Sequence, residues 1–214
     1  MDKKYCIFDM DGTLVDSMGY WERLGIEYLV EQGVDEQRAE QAFCEISSMT
    51  LLQAVEYFIH SLNLHQTPQE MIDGMQLVME GHYRRDVELK PGVEEYLKVL
   101  QDRGCKLCVA TATAEPLAWL CLERLGIAHY FEFLLSCETL GVGKGSPDIY
   151  LMAAEKLGGT PGETAVFEDA LYAATTAKKA GFYTVGVKDA GHRCCWEELS
   201  ALADQALERW KDAR

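Results

Sequence analysis

The sequence predicts an α/β protein: a parallel β-sheet covered by helices and interrupted by an all-helical insertion. Three observations predict it. Short β-rich apolar runs recur along the chain, and the later ones alternate with helical patterns that stop at glycine. The interval between the first two runs is also far longer than one crossover needs.

The runs are "KYCIF" ending at Phe8, "KLCVA" from Lys106, "FEFLL" from Phe131, "TAVF" from Thr164 and "YTVGV" from Tyr183. Among the later runs, four helical patterns end at Gly104, Gly126, Gly158 and Gly181. Glycine just past a helix tolerates the left-handed backbone that closes it. Strands alternating with such helices make βαβ units and a Rossmann-like parallel sheet buried on both faces. A βαβ unit needs roughly thirty residues, whereas the chain from Phe8 to Lys106 is about three times as long. Only the last part, after Lys90-Pro91-Gly92, reads as an ordinary core helix. The rest carries helical spacing in "SMGYWERLGIEYLVEQG" and "LLQAVEYFIHSL", with a capping box at Thr67 to Glu70 and proline at its first helical position. The expected division is a discontinuous core, 1–16 and 87–214, carrying a helical cap domain, 17–86.

Composition narrows the function. The 214 residues are 48% apolar and 26% charged, ordinary for a soluble globular protein. No apolar run is long enough to span a bilayer and no signal-peptide pattern opens the chain, so a cytoplasmic protein without a membrane partner is expected. A net charge of −15 with scattered Lys and Arg argues against a nucleic-acid partner. A small anionic substrate would meet an unfavourable average field, so a phosphate site must reverse the sign locally. The eight cysteines read as reduced structural thiols, because Cys105 and Cys108 fall on opposite faces of a strand and no second pair completes a zinc site. His60, His65, His82, His129 and His192 have no metal-site spacing.

Ligands of open α/β sheets bind beyond the carboxyl ends of the strands. Four clusters fall there: Asp9 and Asp11 after the first strand, Thr111 and Thr113 after the second, Lys144 in the glycine-rich loop after the third, and Glu168 with Asp169 after the fourth. Two carboxylates about 4 Å apart repel by roughly 4 kcal/mol at an effective dielectric of 20. A hard divalent ion with oxygen ligands relieves this, and Mg²⁺ takes one or two carboxylates, waters and a substrate phosphate. A metal, a lysine, an anion cradle, a carboxylate nucleophile and a second carboxylate for the proton describe phosphoryl transfer. "GVGKGS" is not a nucleotide phosphate loop, because Glu138 stands where its first glycine belongs and Gly145 follows Lys144.

"DMDGT", "VATAT", "GKGSPD" and "VFED" resemble the four motifs of the haloacid dehalogenase superfamily. The helical insertion resembles the subclass that includes sugar phosphatases and β-phosphoglucomutase. The resemblance implies that Asp9 is the nucleophile that becomes an aspartyl phosphate and that Asp11 is the general acid and base. It implies that Gly12, Thr111, Ala112 and Lys144 hold the phosphate with Asp9, and that Asp9, the Asp11 carbonyl, Glu168 and Asp169 hold Mg²⁺. The third motif, commonly Lys-Pro-x-Pro-Asp, is "KGSPD" here, and Ala170 replaces a frequent serine. The insertion has no lysine between Ser17 and Arg85, which excludes the phosphonate-hydrolase branch with its cap Schiff base. The expected function is therefore a monomeric, Mg²⁺-dependent phosphatase of a small phosphorylated metabolite, a sugar phosphate or nucleotide. Tyr20, Trp21, Ser48 and Thr50 are the cap residues expected to meet it. A β-phosphoglucomutase-like mutase is the alternative, although Trp21 stands where the mutase pattern has histidine. A family member that binds a phosphorylated ligand without turnover is the reading outside enzymes.

Overall fold

The computed structural model describes residues 2–46, 49, 51–191 and 195–213. The chain divides into two compact units, Met1–Met18 with Val87–Arg214, and Gly19–Asp86.

The first unit is built on a six-stranded sheet. Its strands are β1 (Tyr5–Phe8), β4 (Lys106–Thr111), β5 (Phe131–Ser136), β6 (Thr164–Glu168), β7 (Tyr183–Val187) and β8 (Gln205–Leu207), in the order β5-β4-β1-β6-β7-β8. All neighbours pair in parallel, as the alternation of strands and helices predicts. The short antiparallel pair β2 (Val15–Asp16) and β3 (Glu88–Leu89), and the edge strand β8, have no counterpart among the five apolar runs. Segments of two or three residues are too short to show a period.

Alternate residues of β1 serve opposite faces of the sheet, as the pleat requires. Ile7 packs with Cys108, Ala110 and Val166 against Ile149, Tyr150 and Ala153 of α8 (Asp148–Leu157) and Ala177 of α9 (Leu171–Lys179). Phe8 faces the other way and stacks on Phe167 with ring centroids 4.3 Å apart. Tyr96 of α5 (Val93–Asp102) and Trp210 close over that pair, at 5.9 and 5.6 Å from the Phe167 ring. Burying an aromatic side chain of this kind is worth about 1.5–3 kcal/mol. Helices α6 (Glu115–Arg124) and α7 (Cys137–Leu140) precede α8, which ends at Gly158, whose φ of 88° closes the last turn.

The second unit holds α2 (Glu36–Glu45), α3 (Leu51–Leu62), α4 (Pro68–Arg85) and nearly all of α1 (Met18–Glu31). Thr67 and Glu70 form the capping box, with the Thr67 amide donating to Glu70 at 2.7 Å and the Glu70 amide to Thr67 at 3.2 Å. Met71, Met75, Met79 and Tyr83 make the buried stripe of α4. A Cβ on Gly74 would lie 2.3 Å from the Tyr28 ring, so α1 and α4 approach closely there.

Candidate active site

Register brings the chemistry together. Phe8 pairs with Val109 on one side and Phe167 on the other. Asp9 and Glu168 follow directly on neighbouring parallel strands, and the Asp9 amide continues the ladder by donating to the Phe167 carbonyl at 3.0 Å. Strand β1 lies between β4 and β6, so these residues stand at the carboxyl edge where the strand order reverses.

Asp9, Glu168 and Asp169 are 6%, 1% and 3% exposed, and each offers a carboxylate oxygen within 4.8 Å of the others. Lys144, equally buried, donates to Asp9 Oδ1 and, at 2.7 Å, to Glu168 Oε1. Among the described residues, Lys144 thus pairs with two of the three clustered carboxylates. Burial pushes the Asp9 carboxyl well above its usual range, and the neighbouring carboxylates add to this against the pull of Lys144. Burial likewise raises Glu168, with Asp169 adding to the rise. Burial disfavours the Lys144 ammonium, but Asp9 and Glu168 outweigh it and hold its pKa above the usual lysine value. A hard cation fits this donor set: buried oxygens, excess negative charge and no soft ligand among them. Such an ion would restore the charged forms.

The other motif residues surround this cluster. Asp11 lies outside it and accepts hydrogen bonds from Ser17 Oγ at 2.6 Å and Thr113 Oγ1 at 2.7 Å. Thr111 ends β4, buried, with its Oγ1 accepting from the Thr113 amide at 3.1 Å, and exposed Ala112 follows it. No hydrogen bond among the described residues joins Thr111 to Asp9 or Lys144. Gly12 turns the chain with φ 76°, and a Cβ there would lie 2.2 Å from Asp169 Oδ2. Thr13 Oγ1 donates to Asp169 at 3.3 Å, Trp210 Nε1 donates to the Thr13 carbonyl at 3.0 Å, and Lys90 donates to the Gly12 carbonyl.

Tyr20 and Trp21 belong to the helical unit. The Tyr20 ring lies 4.3 Å from that of His82, and Trp21 Nε1 donates to Tyr83 Oη at 3.2 Å with the residue 38% exposed. Ser48 and Thr50 lie outside the described residues. Three contacts escape sequence reasoning: Ser17 and Thr113 on Asp11, and Tyr150, whose hydroxyl donates to Glu168 Oε1 at 2.7 Å. The pattern marks Tyr150 only as an apolar position of α8, and a hydroxyl carries no periodicity.

A model of the haloacid dehalogenase-like hydrolases matches residues 3–181. The chain belongs to this family. Among relatives of this hydrolase, a phosphorylated carbohydrates phosphatase of Thermotoga maritima is 27% identical over 82% of this chain and 80% of its own. A β-phosphoglucomutase of Bacillus subtilis is 28% identical over 86% and 83%. The structure of a haloacid dehalogenase family hydrolase from Deinococcus radiodurans, solved with bound phosphate and sodium, superposes with a TM-score of 0.74 at 23% identity. That superposition covers the whole of this chain and 94% of the other, and it shows the shared fold. No helix among the described residues is long and apolar enough to cross a membrane.

Proposed function

We propose that this hydrolase is a Mg²⁺-dependent phosphatase of a small phosphorylated metabolite, acting through an aspartyl phosphate on Asp9. It is a hydrolase of phosphoric monoesters. The observation that carries the mechanism is the buried cluster of Asp9, Glu168, Asp169 and Lys144 at the carboxyl edge of the central strands.

An Asp9 carboxylate oxygen attacks phosphorus and the bond to the ester oxygen breaks. Asp11 gives its proton to that leaving oxygen. Asp11 then takes a proton from the water that attacks the aspartyl phosphate, releasing orthophosphate and restoring Asp9. Thr111 Oγ1 and the Ala112 amide hold phosphate oxygens, Gly12 lets the backbone approach them, and Lys144 offsets the charge shared by Asp9 and the phosphate. Asp9, the Asp11 carbonyl, Glu168 and Asp169 would hold Mg²⁺, which would supply the positive charge that draws the phosphate into an acidic protein. The hydroxyls of Ser17 and Thr113 hold the Asp11 carboxyl ready beside this centre.

The relative named for phosphorylated carbohydrates supports a sugar phosphate over a nucleotide. Tyr20, Trp21, Ser48 and Thr50 of the cap select the ester in this reading, and the protein works as a cytoplasmic monomer. The Bacillus relative keeps a phosphosugar mutase as the second reading.

Phosphate release from sugar phosphates, nucleotides and p-nitrophenyl phosphate, with Mg²⁺ or with EDTA, tests the proposal. Metal-dependent release from a sugar phosphate is expected, with Asp9→Asn slower by at least about 10³-fold, the scale lost with a catalytic nucleophile. Equal release by Asp9→Asn would overturn the assignment. Turnover of β-glucose 1-phosphate with a bisphosphate primer but no release would favour the mutase.

A further inference from the structure

We propose that Tyr150 is a positioning residue for the metal site, holding Glu168 so that its second carboxylate oxygen stays available to Mg²⁺. The inference rests on the reading of Asp9, Glu168 and Asp169 as the metal cluster. Two donors meet Glu168, Lys144 Nζ at 2.7 Å and Tyr150 Oη at 2.7 Å, and both fall on Oε1. Among the described residues no hydrogen bond falls on Oε2. One stretch of chain supplies both donors, because Lys144 lies in the loop before α8 and Tyr150 in its first turn, where its amide donates to the Pro147 carbonyl at 3.0 Å.

The phenol has little freedom to leave. Tyr150 is fully buried, packs among Ile7, Cys108, Ala110 and Val166, and meets the Phe182 ring edge-on at 6.2 Å. A buried hydroxyl needs a partner, and the one it has is a carboxylate of the proposed metal cluster. Without the phenol, a carboxylate this close to an ammonium is free to turn and give Lys144 both of its oxygens. The metal would then have to displace the lysine from Glu168 before binding. Partners behind a ligand are worth about 10–100-fold in metal affinity where they fix its orientation.

The test is Mg²⁺ binding to the full chain by titration calorimetry without ester, comparing the native protein, Tyr150→Phe and Asp169→Asn. Phenylalanine keeps the ring and its packing, and circular dichroism checks that the variant is folded. The expected result is a Mg²⁺ dissociation constant raised by about tenfold in Tyr150→Phe, with KM for the ester unchanged at saturating Mg²⁺. A merely structural role would lower the unfolding temperature and leave the Mg²⁺ constant alone. A rise smaller than about threefold in Tyr150→Phe, with binding abolished in Asp169→Asn, overturns the role of Tyr150 and leaves the metal cluster standing. If the native protein binds no Mg²⁺, the metal reading fails and this inference falls with it.

Discussion

At residue 12, packing and chemistry meet in one atom that is absent. The turn after Asp9 is closed by the Leu14 and Val15 amides, which donate to the Met10 carbonyl at 2.8 and 3.0 Å. Gly12 sits in it at φ 76°, and the space its side chain would fill already holds the Asp169 carboxylate, 2.2 Å from a Cβ there. Gly12→Ala must therefore either open the turn or displace Asp169. Alanine at positive φ destabilises by roughly 1–2 kcal/mol, and if Asp169 holds the metal as proposed, displacing it by about 1 Å can cost about 100-fold in rate. The expected outcome is a kcat lower by about that factor, with the sheet intact by circular dichroism. Full activity in Gly12→Ala would mean that the turn opens without moving Asp169, or that the reaction does not depend on where Asp169 sits.

Among the elements, α4 shows how a polar contact can tie two helices. His82 lies in its last turn, with Nε2 2.9 Å from Glu27 of α1 and Nδ1 2.8 Å from Asp86. The Tyr20 ring covers it at 4.3 Å. Burial disfavours the imidazolium, but the Glu27 and Asp86 carboxylates outweigh burial and raise the His82 pKa above the usual histidine value. A folded value above the unfolded one stabilises fully below about pH 6.5, and the gain is lost as pH rises through the folded value. His82→Gln should therefore lower the unfolding free energy by about 1 kcal/mol at pH 5.5, a modest figure because both carboxylates are partly exposed. The deficit should shrink towards pH 9 in urea unfolding. A deficit constant with pH would assign the loss to packing. Arg84 in the same turn bonds Glu80 at 2.8 Å, an ordinary helix-surface pair.

For the whole molecule, the division of the chain makes its own prediction. Val15 pairs with Leu89 and Asp16 with Glu88 in antiparallel strands, so the chain leaves the core and re-enters it side by side. The Lys90 amide extends this pairing to the Leu14 carbonyl at 2.9 Å. Neighbouring strands are about 4.8 Å apart, a gap that a few Gly and Ser residues span with little loop-closure cost. Replacing Gly19–Asp86 with such a linker should leave a core that unfolds cooperatively. Its six strands and its Asp9, Lys144, Glu168 and Asp169 cluster all lie in the remaining unit. Far-UV circular dichroism through a thermal scan checks this, and loss of a cooperative transition would show that the core depends on the helices.

The sequence by itself determined the class of fold and the sheet edge at which the motif carboxylates gather. Strands and helices announce themselves by local period, and glycine marks where helices stop. Parallel strands send their carboxyl ends to one side, so motifs that follow strands converge there whatever the order of the strands. The tertiary structure alone decided that β1 lies between β4 and β6, that β8 completes the edge, and that β2 meets β3. It alone decided that Tyr150 turns a hydroxyl onto Glu168, eighteen residues away, and that Lys144 reaches both Asp9 and Glu168. These are properties of register and of facing surfaces. They are set when apolar faces from distant parts of the chain pack together, and no local period records them.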